Sequence, residues 1–138
     1  MQAETEYAVR TVYELSLHKE FVSVKTICEY QNLPVKFVEK ILKKLKKSGI
    51  VKSKKGAFGG YRLQKKLQNI NLKNIVDITQ DSYGILCFNP KKNMNFCIKN
   101  RCYLLNFWKQ VKNNMDNLYS QMSLDKINNN RGKNDIFK

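Results

Sequence analysis

The chain has 138 residues, 42% of them apolar, and a formal charge of +15. That length suits one domain with an added arm, and no apolar run approaches the ~20 residues that a membrane span needs. The opening MQAETEYAVR carries acids and no apolar core, so no signal peptide is expected; the chain is read as cytoplasmic, with its four cysteines reduced rather than paired.

Helical spacing starts at Thr5, an expected N-cap, and runs to about Leu17, with Ala8, Val12 and Leu15 on one side. Ser23 can cap a short second helix that turns Val24, Ile27 and Cys28 inward. The stretch QNLP is a turn. Pro34 suits the first position of a third helix, where its missing N–H is harmless. Val38, Ile41, Leu42 and Leu45 form that helix's apolar face, and Gly49 is placed to stop it. Helix, short helix, turn, helix is the order of a helix-turn-helix.

Ile50–Ser53 and Tyr61–Leu63 read as two short strands joined by KKGAFGG. Such a hairpin makes the winged form of the motif, with the third helix directed at a major groove and the hairpin at phosphates or a minor groove. Charge follows the same segment. Residues 36–66 hold twelve Lys/Arg and one acid, Glu39, a net +11 in 31 residues; the other 107 residues share +4. Compositional drift would spread the charge, whereas a polyanion-binding face concentrates it. The expected partner is double-stranded DNA, with no membrane and no small-molecule substrate.

Asn71 can cap a fourth helix, Leu72–Thr79, with Leu72, Ile75, Val76 and Thr79 inward. Residues 81–101 lose periodicity and read as a long loop holding Cys87 and Cys97. A long helix is expected from Cys102. Its Leu104, Trp108, Val111, Met115, Leu118 and Met122 are spaced 4, 3, 4, 3, 4, an a/d seam that suits a partner helix and hence a homodimer. Packing against its own domain is the alternative. The division expected is 1–80 for the winged helix-turn-helix, 81–101 for a sensor loop, 102–125 for a dimerisation helix and 126–138 for a polar, disordered tail. The fold class is mainly α with a small β-hairpin wing (α+β). No nucleophile–base pair or P-loop supports an enzyme, and the lone histidine, His18, is expected to be exposed at the end of the first helix.

Four stretches then resemble a known family. TEYAVR at 5–10, SVKTI at 23–27, LPVKFVEKILKKLKKSGIVKSKKGAFGGYRL at 33–63 and INLKNIVDI at 70–78 together look like the Rrf-two family of bacterial winged-helix transcriptional regulators, of IscR/NsrR/CymR type. The resemblance covers about residues 1–125. It implies a dimeric, sequence-specific DNA-binding regulator, a repressor, in which a long helix after the sensor loop crosses to the partner.

It also places Lys36, Phe37, Glu39 and Lys40 at base-reading positions. Physically, a lone carboxylate among cations can accept from a cytosine amino group or pair with Lys43 at i, i+4. Lys36 and Lys40 can reach guanine edges or phosphates; Phe37 can meet a thymine methyl or pack inward. In the wing, Lys55 stands where the family usually has an arginine that enters the minor groove. Gly59, Gly60 and Tyr61 match its GGY, and Lys43, Lys44, Lys47 and Lys54 are phosphate candidates.

Cys87, Cys97 and Cys102 occupy the segment in which cluster-binding relatives hold an iron–sulfur cluster, either 2Fe–2S or 4Fe–4S. Thiolates are soft donors suited to that chemistry. Some relatives add a histidine just after the third cysteine, but here Tyr103, Leu104 and Leu105 follow; Glu6 matches the acidic position that others supply across the dimer. Two alternatives stay open. One is a cluster-free regulator of the same fold, controlled by thiol oxidation or a protein partner. The other is a non-specific nucleic-acid-packaging protein. Cys28 is read as core.

Overall fold

A computed structural model describes residues 3–79, Tyr83 and 104–130. Helix α1 spans Ala3–Ser16, α2 Val24–Gln31, α3 Val35–Lys47 and α4 Leu72–Thr79. Ala8, Val12 and Leu15 of α1, Ile27 and Cys28 of α2, Val38, Ile41, Leu42 and Leu45 of α3, and Ile75 of α4 share one core. All are buried, as their spacing requires. Each fully buried Leu, Ile or Val contributes about 1.5–3 kcal/mol, so the four on α3 fix that helix firmly.

The caps follow from local chemistry. Ser23 Oγ accepts from Thr26 N–H at 3.1 Å and starts α2. Asn32 ends it with φ +52, a left-handed conformation that asparagine tolerates. Pro34 is the N-cap of α3 rather than its first helical residue, a shift of one position. Gly49 takes φ +83, and the chain closes α3 by two bonds: Gly49 N–H to Lys46 O (3.1 Å) and Ile50 N–H to Leu45 O (3.0 Å). That is the Schellman pattern, with Ile50 and Leu45 both in the core. Asn71 and Asn74 cap α4 reciprocally, each side-chain oxygen accepting the other's backbone N–H (2.8 and 2.9 Å).

Thr5 does not cap α1. The helix begins earlier, at Ala3, so Thr5 lies within it, buried, with its hydroxyl 2.8 Å from Thr79 Oγ1 of α4. His18 is not a free end residue either; its Nε2 lies 2.7 Å from Oε2 of buried Glu14.

The hairpin is antiparallel. Strand β1, Val51–Lys54, pairs with β2, Gly60–Leu63, in the register Val51 to Leu63 and Lys54 to Gly60. Val22, between α1 and α2, bridges to Tyr61 through two bonds of 2.8 and 2.7 Å, so the hairpin is seated on the helical body.

Helix α5 spans Leu105–Ser120. It was expected to continue to about 125, but the chain turns back after Ser120. Leu72 N–H donates to Met122 O and Leu124 N–H to Ile70 O, both at 2.8 Å, and a 3-10 segment follows over Leu124–Asn130. Leu124 is buried and Ile127 packs on the main core. The apolar spacing alone would carry the helix onward; burial of Leu124 and pairing with the start of α4 override it. Leu124 and Ile127 thus anchor a segment that was expected to be a loose tail from residue 126, while 131–138 lie outside the described residues. No helix among the described residues is long and apolar enough to cross a membrane.

Candidate nucleic-acid interface

Helix α3 divides sharply. Its buried stripe leaves Lys36, Glu39, Lys40, Lys43 and Lys47 exposed on the opposite face. Pro34 offers no side-chain acceptor, so the first-turn N–H groups of α3 have no side-chain cap; such groups attract anions. Glu39 has no ion-pair partner within 4 Å among the described residues, and the pair with Lys43 is not formed. Phe37 is half-exposed, its ring edge-on to Tyr7 with centroids 6.0 Å apart. Lys44 is engaged: its Nζ lies 2.6 Å from Glu4 Oε1 and ties α3 to the start of α1.

In the wing, Lys52, Lys54, Lys55 and Arg62 are exposed. Lys52 and Arg62 face each other across the strands. Like charges directly opposite in such a pair are mildly destabilising. Lys54 Nζ stands 5.9 Å from the Phe21 ring centroid. The two glycines before Tyr61 are required by close approach. A Cβ on Gly59 would collide with Lys54 O, and one on Gly60, at φ +133, would collide with Val22 O. Tyr61 itself is half-buried against the core, so these three residues seat the hairpin.

A second cluster joins α4 to α5. Trp108, Val111, Met115 and Tyr119 pack on Val76 and Tyr83. Tyr83 OH donates to Asp116 Oδ1 at 2.7 Å, and Lys112 donates to Oδ2 at 2.8 Å. Burial opposes the Asp116 charge, but the bonds from Lys112 and Tyr83 and the ammonium groups of Lys112 and Lys73 outweigh it and hold the carboxyl below its usual range. The seam therefore splits. Trp108, Val111 and Met115 serve the chain's own α4, whereas Leu104, Leu118 and Met122 are exposed at 60%, 57% and 43%.

Comparison with known proteins places this geometry. The family model for Rrf2, the iron-dependent transcriptional regulators, matches residues 1–130. The chain belongs to the Rrf2 family. It is 32% identical over 78 residues to the Rrf2 protein of Nitratidesulfovibrio vulgaris, covering 55% of this chain and 52% of that one. It is 33% identical over 100 residues to NsrR of Shouchella clausii, covering 70% of this chain and 65% of that one. The chain thus spans about half to two-thirds of the length of these curated relatives. Among solved structures, IscR of T. potens superposes with a TM-score of 0.71 at 24% identity, covering 96% of this chain and 88% of that one.

Of the residues singled out in this Rrf2 chain, Lys36, Glu39, Lys40, Lys43 and Lys47 share one exposed helix face, and Lys54 and Lys55 lie on the hairpin. Cys87, Cys97 and Cys102 lie outside the described residues. Glu6 is an exposed carboxylate of the first α1 turn, with no ion-pair partner among the described residues. Sequence reasoning missed the Lys52–Arg62 apposition, which becomes visible only with the register. It also passed over Phe58, exposed at the wing tip.

Cys28 is buried, and burial together with the nearby Glu39 charge pushes its thiol pKa up. The thiol form is unreactive. Iodoacetamide at neutral pH should therefore modify Cys28 slowly in the folded chain and rapidly in denaturant, as read by peptide mass mapping.

Proposed function

We propose that this chain is a sequence-specific DNA-binding transcriptional repressor that acts as a homodimer. Helix α3 would enter the major groove, with Lys36, Glu39 and Lys40 toward base edges and Lys43 and Lys47 toward phosphates. The wing would follow the backbone, with Lys55 directed at the minor groove. The observation that carries this reading is the acid-free run between Glu39 and Asp77, which spans most of α3 and the whole wing. Exposed Leu104, Leu118 and Met122, with Phe107 beside them, are the apolar surface for a second copy.

Affinity for DNA would be set by an iron–sulfur cluster. Three thiolates, from Cys87, Cys97 and Cys102, and an unpaired carboxylate, Glu6 of the partner subunit, form a donor set that suits it. When bound, the cluster would supply a redox-labile crosslink between the segment after α4 and the start of the α5 region. The chain's own residues carry the consequence. Helix α4 touches α1 and α3 as well as α5, so a shift at residues 81–101 has a packed route to the reading helix. A dimer reads two half-sites at fixed spacing, and a small change in that spacing removes affinity. Nine residues separate Cys87 from Cys97 and four separate Cys97 from Cys102, gaps longer and less even than cluster-binding relatives usually have, which favours a second reading: the same regulator without a cluster, controlled by thiol oxidation or a protein partner.

Anaerobic purification with iron and sulfide assay, followed by footprinting, tests both levels. A short palindromic footprint with iron present supports the full reading; the same footprint from iron-free protein supports the second. Uniform protection of every duplex would leave only a packaging protein.

Phosphate contacts have their own signature. Lys43→Ala should flatten the dependence of log affinity on log salt by about one unit and weaken all sequences alike. Lys44→Ala should flatten it less, because Glu4 already neutralises part of that charge. Binding titrations across a salt series check both.

A further inference from the structure

Phosphate contacts leave one part of the wing without a role. Gly59 N–H donates to Gly56 O at 3.0 Å, closing a four-residue turn with Ala57 and Phe58 at its apex. Phe58 is 90% exposed, more than any other large hydrophobic residue among those described. A lone apolar side chain on a surface needs no explanation in general. This one stands at the end of a projecting hairpin, next to Lys54 and Lys55, in the run that holds no acid. Seating of the hairpin on Val22 and the contact of Lys54 with Phe21 fix its base, and the Phe58 ring stands exposed at the far end.

Charge selects the occupant. A protein pocket for this ring would have to bring several carboxylates to meet Lys52, Lys54, Lys55 and Arg62. A duplex brings phosphates on both sides of a groove whose walls are deoxyribose, with apolar base faces stacked behind its floor. Apolar side chains inserted there part-unstack a base step and bend the helix. We propose that Phe58 is a minor-groove wedge that enters a base step beside Lys55 and bends the bound duplex. Pyrimidine–purine steps yield most easily, so the wedge also selects TA or CA/TG at the wing position. This inference rests on the reading of the chain as a DNA-binding regulator.

The test uses the full chain and a duplex of about 30 base pairs selected by it from a random pool, end-labelled for energy transfer and carrying 2-aminopurine at the wing step. Phe58→Ala should lower affinity about tenfold, since an aromatic–base contact is worth roughly that factor or more. It should also shrink the bend, quench the 2-aminopurine signal and erase the TA or CA/TG preference, with the salt slope unchanged because no charge is lost. Phe58→Leu, still a wedge, should keep most of the bend. If Phe58→Ala binds and bends as the parent does, the tip docks something other than DNA and the wedge is wrong. A loss of affinity with bend and step preference intact also overturns it. Those outcomes leave the regulator reading standing; a parent chain that selects no duplex at all removes both.

Discussion

Replacing Gly60 by alanine should destabilise the protein by about 3–4 kcal/mol and abolish DNA binding. Two penalties combine. At φ +133 the backbone lies in a region almost confined to glycine, worth about 1–3 kcal/mol of strain for any other residue. The new methyl would also collide with Val22 O and stand 2.8 Å from Ser23 N. Relief requires β2 to lift from Val22, which loses the two Val22–Tyr61 bonds, each worth about 1 kcal/mol. For a chain of this size the melting temperature should fall on the order of 10 °C. Gly56→Ala is the control. Gly56 also has positive φ, +109, but nothing lies within 4 Å of its Cβ position, so only the strain remains and the wing stays seated. Thermal melts of the two variants, with binding measured below the lower transition, separate the effects. Equal melting temperatures would show that the hairpin is not held by Val22.

Replacing Glu39 by glutamine should change what the protein reads more than how tightly it binds. Glu39 is an unpaired acid on the exposed face of α3, surrounded by lysines. Near phosphates such a carboxylate weakens non-specific attraction, and the role proposed for it in recognition is to accept from a cytosine amino group. Glutamine keeps the shape and removes the charge. Affinity for random duplex should rise slightly, while discrimination at one position of each half-site should fall by about 1–3 kcal/mol. Selection from a random pool, repeated with the variant, measures this directly. An unchanged selected motif would remove Glu39 from the reading set.

Local sequence signals specify some of these features and not others. Helix α3 could be placed because its apolar period, its lysine face and its terminal glycine agree; three independent signals named one element. Gly60 stands out in the sequence through its GGY match, but the atom it makes room for, Val22 O, lies 38 residues away and has no local signal. Thr5 failed as a cap because residue type was read without knowing that a helix could start two residues earlier and that Thr79 would meet it. The seam of α5 was real as a period, yet the period does not name its partner. Half of it faces α4, which one chain supplies, and the rest faces outward. Phe58 was hidden for the opposite reason: composition reports an apolar residue, and exposure is a property of the folded turn alone.

The bridge between Asn71 and Ser123, with the bonds from Leu72 to Met122 and from Leu124 to Ile70, has a topological outcome. It closes the polypeptide into a ring whose neck lies at the start of α4, and in sequence Cys87, Cys97 and Cys102 fall between the two sides of that neck. A chain joined at both ends has less conformational freedom to lose than an open one of equal length, so the proposed convergence of those three thiols would carry a lower entropic cost. Trimming the chain before Ser123 would open that ring and leave the packing of Trp108 and Met115 on Val76, with the Tyr83–Asp116 bond, as a remaining tether between α4 and α5.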